Sequence, residues 1–144
     1  MNQDAKGQSP GIDLTFADGR TGRIWGLSGL DDLRGASFQK AASYLESRAE
    51  QDDVFDWQIE VDLELVMSFS FQPLLNLLLL LDKLVQDDPD GGRAVTIVWK
   101  ISPGDVSMGS MARQLKEIVE AKQGNGRGLV IEIVDKPPLR AARR

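Results

Sequence analysis

Residues 55–65 read FDWQIEVDLEL. Phe55, Trp57, Ile59, Val61, Leu63 and Leu65 alternate without a break with Asp56, Gln58, Glu60, Asp62 and Glu64. Successive side chains of a strand point to opposite faces, so this stretch reads as a strand with one apolar and one acidic face. A strand covered on both faces would be apolar throughout. The sheet is therefore expected to carry helices on one face. Its Asp56/Glu60/Asp62/Glu64 face is expected to be open or to lie in a homodimer contact.

The flanks complete the pattern. Downstream, a leucine-rich helix is expected over about 71–86; it is apolar almost all round and so buried on more than one side. Upstream, Phe38, Ala41, Ala42, Leu45 and Ala49 fall on one helical face. Ser37 is placed to cap that helix, and Asp52-Asp53 to end it. Farther upstream, Ile12, Leu14 and Phe16 alternate with Asp13 and Thr15, and Asp18-Gly19 is a hairpin signal. Arg23 to Ser28 then reads as a second strand, antiparallel to the first, with a loop over 29–35.

Beyond the leucine helix, DDPDGG (87–92) is a loop, and Val95, Ile97 and Trp99 mark a fourth strand. Pro103-Gly104 breaks the chain, and Met108, Met111, Leu115, Ile118 and Val119 form one face of a third helix. GNGRG (124–128) is a turn, Leu129, Ile131 and Ile133 begin a fifth strand, and KPPLRAARR (136–144) is a basic tail. The order β-β-α-β-α-β-α-β implies right-handed crossovers and parallel pairing for the last three strands. The fold class expected is α/β. It is one two-layer domain over 1–144, with a mixed five-stranded sheet, three helices on one face, and flexible tails at 1–10 and 136–144.

Composition narrows the chemistry. There is no cysteine and no histidine in 144 residues. Disulfides, thiol catalysis, Cys/His zinc sites and imidazole-based triads are thereby excluded. The net charge of −5 argues against nucleic acid, which demands a basic face. The N-terminal MNQDAKGQSPG has no apolar signal-like stretch. The Leu74–Leu81 run falls short of the roughly 20 apolar residues a membrane span needs. No membrane insertion and a cytoplasmic address are expected.

Few side chains suggest catalysis. Asp87, Asp88 and Asp90 lack the glutamate that a calcium loop carries at its twelfth position, so they read as a solvated turn. GNGRG follows a helix and precedes a strand, the reverse of a phosphate loop. Asp56, Glu60, Asp62 and Glu64 share one face of the strand, where alternate residues stand roughly 6.5–7 Å apart, compatible with paired acids. An open sheet face needs polar residues in any case. The leucine helix with Met108 and Met111 could alternatively line a pocket for a small apolar ligand. No cofactor, metal or catalytic residue is assigned, and the chain is read as no enzyme.

Ser68 and Ser70 remain. Ser70 suits a helix cap, with Pro73 tolerated in the first turn. Ser68 lies at the strand-to-helix turn, where the helix dipole would stabilise a phosphate.

The stretch LELVMSFSFQPLLNLLLLLDKL followed by GGRAVTIVW resembles the SiaC family of bacterial regulatory proteins. The family pattern there is close to L-E-Y-F-N-T-S-S-S-K, a leucine-rich helix, then G-G-x-V-x-V-x-W. Leu63-Glu64 match its start, Ser68 falls on the threonine and Ser70 on a serine. Gly91, Gly92, Val95, Ile97 and Trp99 match the later segment, and Arg23 to Ser28 resembles the family's early strand. The resemblance implies a STAS-like fold similar to anti-sigma-factor antagonists. It implies a switch protein in which Ser68 is phosphorylated by a partner protein kinase and cleared by a PP2C-like phosphatase. The unphosphorylated form would bind a diguanylate cyclase, placing the protein in c-di-GMP and biofilm regulation. Phe69, Phe71 and Gln72 replace polar residues of the pattern and offer anchors for partner docking. A constitutive interaction domain without phosphorylation is the alternative.

Overall fold

The structure, a computed structural model, describes residues 11–27, 36–51, 54–65, 68–88, 91–123 and 128–136. Its elements run β1 (Gly11–Asp13), β2 (Thr21–Leu27), α1 (Ala36–Gln51), β3 (Phe55–Leu65), α2 (Ser68–Gln86), β4 (Arg93–Ile101), α3 (Val106–Ala121) and β5 (Val130–Asp135). The order is the one expected. The strands lie in the order β1-β2-β3-β4-β5, with β1 antiparallel to β2 and all later pairs parallel. Each crossover steps to the next strand in the same direction. Right-handed crossovers that never reverse direction put every helix on the same side of the sheet. This topology gives the two layers that the alternation in 55–65 demands.

Phe55, Trp57, Ile59, Val61 and Leu63 are buried under the helices. Asp56 and Gln58 on the other face are exposed, and Glu60 and Asp62 are half-buried. α2 packs between α1 and α3 and against β4. A helix enclosed on three sides needs an apolar surface nearly all round, and Leu74, Leu75, Leu77, Leu78, Leu81, Leu84 and Val85 are all buried. Met108 joins the same core, with Met111 packed against it.

Arg93 closes one end of this layer. Its guanidinium donates to the carbonyls of Ala49 and Leu84, both at 2.9 Å, and lies over the Phe55 ring. It thus satisfies last-turn carbonyls of α1 and α2, which have no partner inside their own helices. Phe55 in turn stacks on Trp57, and Trp57 on Phe16.

Several boundaries depart from expectation. α1 begins at Ala36, so Ser37 lies inside the helix and not ahead of it. β1 stops at Asp13 although the alternation runs to Phe16. Phe16 adopts a left-handed φ of 50°, which turns the chain while its ring stays on Trp57. The strands β2 and β4 extend beyond their apolar cores because pairing with β3 carries them on. α2 begins at Ser68 and not near 71. Ser70, expected ahead of the helix, is therefore its third residue, and Pro73 stands in the second turn. The loop over 29–35, Asp52-Asp53, most of 124–128 and the tails 1–10 and 137–144 lie outside the described residues.

Candidate functional site

Because β2 to β5 are parallel, α2 and α3 both start from the same edge of the sheet, where β3 and β4 end. α3 opens with Asp105, whose carboxylate accepts from the Met108 amide at 3.1 Å. α2 opens with Ser68, three residues after β3 ends at Leu65. Ser68 therefore sits where orphan N–H groups and the positive end of a 19-residue helix dipole converge.

Pro73 shapes this first turn. Proline has no N–H, so the carbonyl of residue 69 lacks its usual i+4 donor. The opening turn of α2 is joined to the rest by one hydrogen bond fewer than an ordinary helix would have. Gln72 is exposed and donates from Nε2 to Asn76 Oδ1 at 2.8 Å, so both line the solvent side of α2. Leu74, Leu75, Leu77 and Leu78 hold the opposite side in the core. The side chains of residues 64–71, and with them Ser68, Phe69, Ser70 and Phe71, lie outside the described ones.

The open sheet face is the second surface. Arg23 pairs in register with Asp13 on β1 and Glu60 on β3, and its guanidinium lies 4.9 Å from the Trp25 ring centroid. Glu60 meets Lys100 at 3.3 Å and Asp62 meets Lys136 at 2.6 Å. Two carboxylates of the acidic stripe, Glu60 and Asp62, are thus each tied to a lysine. A shallow recess of about 440 Å³ lies among Asp13, Thr21, Arg23, Gln58 and Glu60. Among the described residues of this face, the carboxylates Asp13, Asp56, Glu60, Asp62 and Glu132 outnumber the cations Arg23, Lys100 and Lys136.

The acidic loop after α2 is structural. Asp87 holds Lys83 at 2.7 Å and raises its pKa above the ordinary lysine value through that hydrogen bond. Asp88 is buried and accepts from the Gly92 amide. Among the described residues no group of three or more acidic side chains could hold a metal ion.

Sequence reading missed Asp82. It follows the leucine run, where a solvated helix residue would be expected, yet it is 3% exposed. Its Oδ1 accepts from the Leu129 amide at 2.9 Å and Gln123 Nε2 at 2.7 Å, and its Oδ2 accepts from Gln86 Nε2. Gly128 makes room: with φ of 152°, any Cβ there would collide with the Asp82 carboxylate. The only local signal was an acid placed on the apolar side of a helix.

No family model matches the chain, and no curated protein matches it either. A solved structure does: the diguanylate cyclase SiaD in complex with its activator SiaC from Pseudomonas aeruginosa. The match has a TM-score of 0.68 at 16% identity and covers 90% of this chain and 93% of that one. The fold is SiaC-like. The sheet, its three helices and their order agree with this neighbour. Among the described residues, no helix is long and apolar enough to cross a membrane.

Proposed function

We propose that this SiaC-like chain is a non-enzymatic signalling adaptor that binds a partner protein through the surface around Ser68. The partner class is a diguanylate cyclase, and phosphorylation of Ser68 switches the binding off. A protein kinase and a PP2C-like phosphatase would set the switch. The carrying observation is that α2 starts at Ser68, in a fold whose solved neighbour is an activator in complex with such a cyclase. Two further features support the reading. The opening turn of α2 is weakened by Pro73, which eases local opening for a modifying enzyme. Phe69 and Phe71 follow Ser68 closely in sequence and offer apolar anchors, and Gln72 is exposed.

A phosphate at Ser68 carries about −1.5 to −2 charges, keeps its water and opposes burial of a contact built on the two phenylalanines. Ser68→Asp should weaken binding to the host's diguanylate cyclase by about tenfold, equivalent to 1.4 kcal/mol. Ser68→Ala should bind like the unmodified protein. Intact-mass analysis of the protein from its own host, with and without phosphatase treatment, checks the modification. If no 68-phosphorylated form appears and both variants bind alike, the interaction is constitutive and the switch is refuted.

A further inference from the structure

We infer that β5 is a docking edge for a second copy of this chain, whose own β5 pairs with it antiparallel across a two-fold axis. The inference is independent of the reading of Ser68. It starts from the direction of the backbone groups. The Lys136 amide donates to the Ile101 carbonyl at 2.7 Å, so Lys136 faces β4. Backbone groups alternate sides along a strand. Val130, Glu132 and Val134 therefore face β4 as well, and Ile131, Ile133 and Asp135 face away from it. On that outer side the Ile131 carbonyl accepts from the Lys116 ammonium of α3 at 2.9 Å. Among the described residues, the outward N–H and C=O groups of Ile133 and Asp135 have no partner. The strand carries neither a proline nor a bulge, the usual guards of an edge. β1, at the other edge of the sheet, has only three residues to offer.

Register argues for a second copy as the occupant. In a two-fold antiparallel pair, outward residues of one copy stand opposite outward residues of the other. Centring the axis on Ile131, Glu132 or Ile133 would claim the Ile131 carbonyl that Lys116 already holds. Centring it on Asp135 would set two carboxylates face to face. Centring it on Val134 does neither. Ile133 then exchanges both backbone hydrogen bonds with Asp135 of the second copy, and Asp135 with its Ile133.

The side chains agree with this register. Val134, 37% exposed, meets Val134 of the second copy on the axis. Glu132, exposed, stands opposite Lys136 of the second copy on the same face, and the symmetry makes this pair twice. Lys136 already lies over that face, held by Asp62 at 2.6 Å. A contact this short buries little area, so the dimer is weak and reversible.

The chain has no cysteine, so Val134→Cys introduces a unique thiol in the full-length protein. Residues opposite each other in a non-hydrogen-bonded pair have Cα atoms about 4.5 Å apart, within disulfide reach. Under mild oxidation Val134→Cys should form a covalent dimer. Val130→Cys, the more exposed position but far from the axis, should stay monomeric. Sedimentation of the unmodified protein up to millimolar concentration should show a reversible dimer. Glu132→Lys opposes lysine to lysine on both sides of the axis and should weaken that dimer by about tenfold. Glu132→Lys/Lys136→Glu should restore it. A monomer at every concentration, equal cross-linking of the two cysteine variants, or a dimer indifferent to Glu132→Lys would each overturn the proposal.

Discussion

Asp82→Leu should destabilise the protein by about 2–4 kcal/mol, because it replaces the acceptor oxygens of a buried carboxylate with methyl groups. The carboxylate is 3% exposed and accepts from three donors. Hydrogen bonds to charged groups contribute about 1.5–3 kcal/mol each, and an orphaned buried amide costs about 1–3 kcal/mol. The donors do not suffer equally. The Gln123 amide keeps the Leu129 carbonyl at 2.9 Å, and the exposed Gln86 returns to water. The Leu129 N–H has no such recourse, since Leu129 is 2% exposed. Removing the desolvation of the carboxylate offsets part of the loss, which sets the net figure. Asp82→Asn keeps an acceptor for the Leu129 amide, and Gln86 can rotate its own oxygen toward the new amide. Its cost should stay under about 1.5 kcal/mol. With a urea m-value of about 2 kcal/mol/M, Asp82→Leu lowers the unfolding midpoint by about 1–2 M. Amide exchange at Leu129 should accelerate with it. An unchanged midpoint for Asp82→Leu, or equal loss for both variants, would refute the reasoning.

Leu78 is fully buried, and Leu78→Ala should cost about 2–5 kcal/mol by chemical denaturation, whereas Gln72→Ala on the exposed side should change stability by under about 0.5 kcal/mol. Asp18 accepts from the hydroxyl and amide of Thr21 and the amide of Arg20, which hold its carboxyl down at about 2. A carboxyl depressed on folding lends stability above its unfolded value of about 3.9 and loses it as pH falls through the folded one. Melting temperature should therefore drop more steeply between about pH 4 and pH 2 in the wild type than in Asp18→Asn. An NMR titration of Asp18 centred at the ordinary carboxylate value would contradict this.

Periodicity alone determined the layers. The alternation of 55–65 names a strand with one wet face, and the leucine run names a helix enclosed by neighbours. Which face of an element is buried is written in its own residues, because the side-chain period belongs to the backbone. Only the tertiary structure decided where hydrogen bonds go. Asp82 looks like any helix acid until packing brings it to the Leu129 amide, 47 positions away. Arg93 opens a strand, and only the packing of α1 and α2 brings their last carbonyls within its reach. The start of α2 at Ser68 is of the same kind, since a proline six residues into a helix is a local stop signal that enclosure of the helix overrides. Burial pattern is a local property of the chain; the partner of a buried polar group depends on which distant segments meet there.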